Sequence, residues 1–330
     1  MTLKFGIMGA GAIGGYLGVR LSAAGYPVTM IGRPALLERA SRLSATNLDG
    51  HTAHPAEGFV VSTDPQDLAD VDICLLTVKG RSTVAAAQTL GGVLSSNTPV
   101  VSFQNGIQNV ARIESQLDQL TFGGMVTFNV VGQNGSLTKG TSGPLMFGQS
   151  KQLDPLAEAF EKAGEPYERR PDMLAVQRGK LLLNLNNGVC AATGLSILHS
   201  IQNPVSRRVF SQCISEGARA MKALGLPYVR IEYLAPDLIG KILRLPNFLL
   251  LRIAKKMMTI DPQARSSTLQ DLDRGVPTEI DDLNGQIVQL AEQAGTSAPA
   301  NRAIYERVKY LEKNPGEYLS PEELYAKSSL

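Results

Sequence analysis

A chain of 330 residues exceeds what a single hydrophobic core ordinarily organises, so its length favours two domains. Hydrophobic residues make up 43% and charged residues 19%, with a mean hydropathy of −0.02, which is typical of a globular protein and excludes a disordered one. The 32 basic and 30 acidic residues leave a net charge of +2, which is too small to indicate a nucleic acid or a membrane surface as the partner.

The first half of the chain alternates short apolar or β-branched runs with helical patterns. Strand-like runs cover 4–8, 28–31, 71–78 and 99–103, and helical patterns cover 13–24 and 82–90. Such alternation predicts a parallel, doubly wound sheet. Between 121 and 148, Asn134-Gly135 separates two strand-like runs, which predicts a hairpin that supplies antiparallel edge strands to that sheet.

The second half is predicted to be helical. A helix at 153–163 ends at Gly164, and helical spacing continues from Met173, so we place the domain boundary at Pro171-Asp172. Residues 1–172 then form an α/β domain and residues 173–330 an all-helical domain. The apolar run 245–258 is shorter than the roughly 20 residues of a bilayer span, so we interpret it as a buried helix. The polar tail 314–330 is expected to be peripheral.

The three cysteines, Cys74, Cys190 and Cys213, lie far apart and form no Cys-X-X-Cys motif or Cys/His cluster. An odd number of dispersed cysteines is typical of a protein kept in a reducing compartment. The sequence therefore predicts a cytoplasmic location and no structural metal site.

A glycine-rich hexamer, Gly9-Ala10-Gly11-Ala12-Ile13-Gly14, follows the first predicted strand and matches GxGxxG. It opens the helical pattern that stops at Gly25, and in this strand–turn–helix context backbone N–H groups bind a pyrophosphate. The hexamer therefore predicts a dinucleotide site formed by Gly9, Gly11, Ala12, Ile13 and Gly14. A glycine-rich turn without a ligand is the alternative.

The end of the second predicted strand distinguishes between the nicotinamide cofactors. NAD sites usually have an acidic residue there, whereas this strand ends in Gly32-Arg33 and no acid follows before Glu38. A guanidinium can donate two hydrogen bonds to a 2′-phosphate, with Arg39 or Arg42 in support, so NADPH is the predicted cofactor. A solvated surface arginine is the alternative.

Lys79 and Asn105 each follow a predicted strand. Ligands of open α/β sheets bind beyond the carboxyl ends of the strands, so we expect these two residues at one sheet edge, as contacts to cofactor and substrate. Taken separately, Asn105-Gly106 is an ordinary turn and Lys79 a surface cation.

Three polar features interrupt the apolar helical patterns of the second half. Lys180 and Asn184 are four residues apart and share a helix face, which fits either a catalytic lysine or one that extends to solvent. Ser267 followed by Gln270 is typical of a capping box, and 277–281 of a helix start with acids in the first turn.

Five sequence blocks, spread over nearly the whole chain, carry a resemblance: GAGAIGGYLG, TVKGRST, SFQNGIQN, GKLLLNLNNGVCAATG and SSTLQDLDRGVPTEIDDLNGQIVQLAEQAGTSAPAN. They resemble the ketopantoate reductase (2-dehydropantoate 2-reductase) family. The resemblance implies a Rossmann domain, a helical domain and NADPH-dependent reduction of 2-dehydropantoate to (R)-pantoate, a step of pantothenate and coenzyme A synthesis. It implies a small 2-oxo acid as the partner, with no nucleic acid or membrane, and leaves a homodimer open.

The resemblance also implies roles for individual residues. Lys180 matches the general acid of the family, and Lys79 the lysine near the nicotinamide ribose. The implied substrate contacts are Asn105, Asn184, Ser267 at the carboxylate and Glu279 at the distal hydroxyl. Hydride delivery to a ketone leaves an alkoxide, so a partly buried ammonium with a lowered pKa suits both carbonyl polarisation and proton transfer.

One position departs from the family pattern. The family usually has a second asparagine eight residues after the lysine, where this chain has Gly188, with Asn187 one position earlier. On a helix one residue turns the side chain by about 100°, so this substrate contact is either missing or remade. A reductase of another branched 2-oxo acid therefore stays open. A non-catalytic NADP(H)-binding sensor is the other alternative, and retention of Lys180, Asn184, Ser267 and Glu279 argues against it.

Overall fold

The structure is a computed structural model that describes residues 2–229, 236–247, 249 and 264–328. Over these ranges the chain divides into two compact units, Met1–Met173 and Leu174–Leu330. Most of the predicted apolar run 245–258 lies outside the described residues. No helix in the described part of the chain combines the length and the apolar character that crossing a membrane requires.

The first unit is built on two sheets. Its strands are β1 Phe5–Met8, β2 Val28–Ile31, β3 Ser44–Thr46, β4 Thr52–Ala53, β5 Phe59–Ser62, β6 Ile73–Leu76, β7 Val100–Ser102, β8 Thr121–Val126, β9 Val130–Gln133, β10 Ser136–Lys139, β11 Leu145–Gly148 and β12 Tyr167–Arg170. The larger sheet has eight strands in the order β12-β11-β8-β7-β6-β1-β2-β5, and the smaller has the order β4-β3-β10-β9. Strands β5, β2, β1, β6, β7 and β8 run parallel, as predicted for a doubly wound sheet.

The helices of the first unit are α1 Ala12–Ala23, α2 Thr83–Gly91, α3 Asn109–Glu114 and α4 Asp154–Lys162. Short 3-10 turns cover Pro34–Arg42, Pro65–Leu68, Gly80–Ser82 and Lys151–Leu153. The predicted helices at 13–24, 82–90 and 153–163 are confirmed to within one residue at each end. Gly25 and Gly164, which follow two of them, adopt the left-handed conformation that ends a helix (φ +89° and +66°).

The predicted strands at 4–8, 28–31, 71–78 and 99–103 are confirmed as β1, β2, β6 and β7. These strands can be recognised in the sequence because they lie in the middle of a parallel sheet, where burial on both faces favours continuous apolar runs. Strand β5 was not predicted. It lies at the sheet edge and its residues are largely half-buried or exposed, although Phe59-Val60-Val61 is a short apolar run that could have indicated a strand.

The predicted hairpin and the predicted antiparallel edge of the larger sheet both exist, but they are formed by different strands. Asn134 and Gly135, both with positive φ, connect β9 to β10, as an Asn-Gly turn requires. Strand β10 pairs with β3 in the smaller sheet, and its buried Leu137 packs on Gly15 of helix α1. The antiparallel edge of the larger sheet is formed instead by β11, which runs antiparallel to β8, and by β12 beside it.

The second unit is helical throughout its described residues. Its helices are α5 Met173–Thr193, α6 Ile197–Gln202, α7 Pro204–Ala223, α8 Pro236–Ile242, α9 Ser267–Asp273, α10 Asn284–Gln293, α11 Pro299–Leu311 and α12 Pro321–Ser328, with a 3-10 turn at Ile280–Asp282. The expectation of a peripheral tail is wrong, because α12 packs on α7 and α11 and buries Leu324 completely. Leu324 stands among polar residues in the described part of the tail, so the sequence gives little sign of this contact.

A cluster of buried charges ties helix α1 to the rest of the first unit. Glu165, 2% exposed, accepts hydrogen bonds from Tyr16 Oη at 2.7 Å and Arg20 Nε at 2.7 Å, and pairs with Lys139 Nζ at 3.1 Å. Burial, with the Glu165 carboxylate beside it, raises the pKa of the Tyr16 hydroxyl. Lys139 also lies over the Phe128 ring, 3.8 Å from its centroid. The cluster joins α1, the smaller sheet and the segment before β12.

We expect Glu165→Ala to lower the free energy of unfolding by about 3–5 kcal/mol, because two cations would stay buried without their carboxylate. Urea titration followed by circular dichroism measures this difference. Glu168→Ala is the matched control, since its partner Arg170 is 3.6 Å away and both side chains are over one-third exposed. The control should change stability by less than about 1 kcal/mol. Equal losses in the two variants would contradict a stabilising role for the cluster.

Candidate active site

The predicted dinucleotide turn lies between β1 and α1. Gly9 has φ +106°, and a Cβ there would come within 2.6 Å of Val78 N, so only glycine fits this approach of the two strand ends. Thr77 Oγ1 donates to the carbonyl oxygen of Gly9 at 2.6 Å and fixes the turn. A Cβ on Gly14 would collide with the same Thr77 hydroxyl. Thr77 therefore shapes the turn, a role that the sequence interpretation missed.

The N-terminus of α1 has the properties of an anion site. Gly11 is the N-cap, and no side chain caps the helix there. A Cβ on Gly11 would meet no atom within 4 Å, so the space beside it is open. The first-turn N–H groups of a helix have no partner within the helix, which suits Ala12 and Ile13 to a phosphate.

Arg33 lies next to this turn. It is exposed and lies two residues after the end of β2, which pairs with β1, so the carboxyl ends of the two strands are neighbours. A Cβ on Gly32 would lie 3.3 Å from Ala10 Cβ, which shows how closely the two loops approach. Arg39 and Arg42 are exposed on the 3-10 turn that follows.

Lys79 and Asn105 follow β6 and β7, which are adjacent parallel strands, so both lie at the sheet edge where the sequence predicts them. Both residues are half-buried. Asn109 Nδ2 donates to the carbonyl oxygen of Asn105 at 2.6 Å, and Gly106 turns the chain with φ +96°. Gln104, which the sequence interpretation missed, donates through Nε2 to the carbonyl oxygen of Val78 at 2.8 Å and so joins the two strand ends.

Lys180 lies on helix α5 of the second unit, among buried leucines of other faces of the same helix. Leu181, Leu182 and Leu185 on the same helix are at most 2% exposed, and Lys180 itself is half-buried. Burial lowers the pKa of Lys180 to about 8, while the Glu279 carboxylate, which favours the ammonium, opposes part of that shift. Near neutral pH the group is therefore an ammonium that releases its proton easily.

Glu279 is 8% exposed. The residues on either side of it are hydrogen-bonded to side chains of helix α11 and to Glu312, which follows that helix. Before it, Thr278 donates through N and Oγ1 to Glu312 Oε1, at 2.9 and 2.7 Å. After it, Asp281 accepts from Tyr305 Oη at 2.9 Å and from Lys309 Nζ at 3.1 Å. The predicted helix start at 277–281 is shifted, because a 3-10 turn, Ile280–Asp282, precedes α10.

The capping-box pattern predicts Ser267 as the N-cap of a helix, and this prediction is wrong by one residue. Ser266 is the N-cap of α9, and its Oγ accepts from Leu269 N at 3.3 Å. Ser266 Oγ also donates to the carbonyl oxygen of Asn187 at 3.2 Å. Ser267 is exposed, and its Oγ accepts from Asn187 Nδ2 at 3.4 Å. The Ser267 hydroxyl is therefore not used for capping.

Each unit thus brings together its own part of the predicted set. The first unit gathers Gly9, Gly11, Ala12, Ile13, Gly14, Arg33, Lys79 and Asn105 at the carboxyl ends of β1, β2, β6 and β7. In the second unit Lys180 interacts with Glu279, Asn184 lies half-buried one turn further along α5, and Asn187 contacts Ser267. The three cysteines are buried free thiols, and burial raises the pKa of Cys74 and Cys190 to about 12, which makes them poor nucleophiles.

Comparison with known proteins assigns both units to one family. Residues 5–152 match the family described as "Ketopantoate reductase PanE/ApbA", and residues 172–312 match "Ketopantoate reductase PanE/ApbA C terminal". A 2-dehydropantoate 2-reductase of Archaeoglobus fulgidus is 27% identical over 93% of this chain and 97% of its own length.

Solved structures agree with the fold. A PanE/ApbA family ketopantoate reductase from Ralstonia eutropha JMP134 superimposes with a TM-score of 0.81 and 29% identity, covering 94% of this chain and 99% of that one. A D-mandelate dehydrogenase bound to NADH and anilino(oxo)acetate gives a TM-score of 0.75 at 19% identity, covering 94% and 99%. At that identity the second likeness concerns the fold alone.

Proposed function

The chain belongs to the ketopantoate reductase family and is an oxidoreductase acting on a CH–OH group, and we propose that it reduces 2-dehydropantoate to (R)-pantoate with NADPH, using Lys180 as the proton donor. The observation that carries the proposal is the half-buried Lys180 beside Glu279, with a pKa lowered to about 8 by burial. A proton donor is most effective when its pKa lies near the working pH.

The residues of the glycine-rich turn fit a nicotinamide dinucleotide. The open space at Gly11 and the uncapped first turn of α1 suit the pyrophosphate. The exposed Arg33 suits a 2′-phosphate, and Lys79 and Asn105 suit the nicotinamide ribose and the substrate. NADPH, when bound, supplies the hydride. A D-mandelate dehydrogenase of the same fold has been solved with NADH, which supports a nicotinamide cofactor without selecting the phosphate.

The chain's own groups account for the rest of the reaction. The Lys180 ammonium donates a hydrogen bond to the ketone oxygen, stabilises the charge that develops there and transfers its proton to the alkoxide. Asn184, one turn away, orients the same end of the substrate. Ser267 offers a hydroxyl to the carboxylate. Glu279 accepts a hydrogen bond from the distal hydroxyl and also keeps Lys180 protonated through its negative charge.

A second candidate is the reduction of another branched 2-oxo acid on the same site. Gly188 favours it, because it stands where the family usually has a substrate-contacting asparagine. The Lys180 chemistry would be the same in both cases, and only the side-chain end of the substrate pocket would differ. A non-catalytic sensor has no use for a buried lysine with a lowered pKa.

We expect Lys180→Ala to lower kcat by on the order of 10²–10⁴ with little change in NADPH affinity, because only the proton donor is removed. In the wild type kcat/KM should fall as pH rises through about 8, since the lysine must be protonated to act. Glu279→Gln should move that limb to lower pH. Steady-state rates, followed by NADPH absorbance across a pH series, give kcat of Lys180→Ala and the pH profiles of the wild type and Glu279→Gln. Asn184→Ala serves as a comparison, in which the change should be mainly in KM. A Lys180→Ala variant with the kcat of the wild type would show that Lys180 is not the proton donor.

We expect Arg33→Asp to weaken NADPH at least roughly tenfold more than NADH, because it removes a charge-assisted hydrogen-bond donor and adds repulsion toward the 2′-phosphate. Calorimetric titration with each cofactor gives the two ratios. Lys151→Asp, also exposed in the first unit, makes the same charge change at the 3-10 turn before α4 and should affect neither cofactor. Equal losses for NADPH and NADH in Arg33→Asp would show that Arg33 does not read the phosphate.

We expect the wild type to prefer 2-dehydropantoate over 2-oxoisovalerate by at least about 10² in kcat/KM, because Glu279 finds a hydroxyl donor only on the former. Glu279→Ala should lose most of that preference by impairing the hydroxylated substrate. The kcat/KM values of wild type and Glu279→Ala should be measured at about pH 6, because there Lys180 stays protonated even after the carboxylate is lost. Equal efficiency on both acids would favour the second candidate and leave Lys180 as the proton donor.

A further inference from the structure

Asn187 lies on the same face of helix α5 as Lys180. Seven residues make nearly two full turns, so Asn187 is about 20° from Lys180 around the helix axis, whereas residue 188 is about 80° away. The asparagine that comes one position early in the sequence is therefore closer to the lysine face than an asparagine at 188 would be.

Two contacts join Asn187 to the start of α9. Its side-chain Nδ2 donates to Ser267 Oγ at 3.4 Å, and its carbonyl oxygen accepts from Ser266 Oγ at 3.2 Å. The second contact comes from the N-cap residue of α9, so it fixes where that helix begins relative to α5. The first contact holds the Ser267 oxygen as an acceptor, which leaves the hydroxyl hydrogen of Ser267 available for another acceptor.

Position 188 cannot take over this contact. A Cβ on Gly188 would collide with the Asn284 side-chain oxygen and come within 2.7 Å of Ile304 Cγ2. Asn284 is completely buried and cannot move aside easily, because its Nδ2 donates to Asn301 Oδ1 at 3.0 Å. Asn301 is in turn held by the buried carboxylate of Glu216, which accepts from its N and Nδ2 at 3.0 and 2.8 Å. Glycine at 188 is thus the residue that lets α5 pack on α10 and α11.

We propose that Asn187 is a positioning residue for the substrate carboxylate: it binds the Ser267 oxygen and thereby directs the Ser267 O–H toward the carboxylate of the 2-oxo acid. This rests on the proposed function for the identity of the substrate. Without the amide the hydroxyl rotates freely and can turn its oxygen, instead of its hydrogen, toward the anion. Asn187 thus acts through Ser267, which differs from the direct substrate contact that the family pattern places at 188, and glycine at 188 allows the close packing of α5.

The test measures the preference of the enzyme for a carboxylate. Steady-state kcat and KM are determined with the 2-oxo acid that the wild type reduces most efficiently and with its methyl ester, which lacks the charge. In Asn187→Ala the KM for the acid should rise roughly tenfold with kcat within about threefold, and the acid-to-ester ratio of kcat/KM should fall by the same factor. Asn187→Asp should be worse, because it removes the donor and adds repulsion toward the carboxylate. Asn187→Gln, which keeps the amide, should recover part of the ratio.

Asn186→Ala is the matched control. Asn186 is a buried neighbour that contacts Cys190 Sγ at 3.7 Å and Ser200 Oγ at 3.1 Å instead of Ser267, so its loss should lower the unfolding temperature without changing the acid-to-ester ratio. The exchanged pair Asn187→Gly with Gly188→Asn should lose stability and fail to restore KM, because its new side chain meets Asn284.

An unchanged acid-to-ester ratio in Asn187→Ala would overturn the inference, as would an exchanged pair with wild-type KM and unfolding temperature. Lys180→Ala distinguishes this failure from failure of the proposed function. If Lys180→Ala loses turnover while Asn187→Ala keeps its ratio, only the inference falls. A wild type that reduces no 2-oxo acid overturns both.

Discussion

Removing an ammonium group from water costs free energy, and in the second unit this cost falls on the half-buried Lys180. The Lys180 side chain is half-buried, and its loss of contact with water disfavours the charged form. Burial alone would drive the group toward the neutral amine, and Glu279 limits that tendency by its charge. The balance leaves a group that is cationic at neutral pH yet ready to give up its proton, which is what a ketone reductase needs.

This balance depends on segments that are remote in sequence. Glu279 is held beside the lysine because Thr278 and Asp281 are bonded to Glu312 and to side chains of α11. Ser267 has a hydroxyl to offer because its neighbour Ser266 takes the cap of α9. Glu279 and Ser267 meet α5 at Lys180 and Asn187, which share one face of the helix, and Gly188 allows α5 to pack closely on α10 and α11.

In the first unit, the N-terminus of α1 is uncapped and open while the rest of the helix is held in place. The turn before α1 is shaped by Gly9, Gly14 and the Thr77 hydroxyl, with open space at Gly11. The middle and the last turn of the same helix are held by Glu165, which accepts hydrogen bonds from Tyr16 and Arg20. Polar groups hold α1 along its length, so the position of its N-terminus does not depend on apolar packing alone.

The sequence by itself determined the central strands, the helices that follow them and the glycine-rich turn, because these features depend on periodicity and on neighbours along the chain. It also determined that Lys180 and Asn184 share a helix face, which follows from helical geometry. The place of the β9–β10 hairpin and the packing of α12 were decided by tertiary structure, since strand pairing joins distant segments and a buried Leu324 alone leaves little periodic signal. The same holds for the serine that caps α9 and for the asparagine that reaches Ser267. That contact joins residues 80 positions apart, so only the packing of α5 against α9 and α10 could fix it.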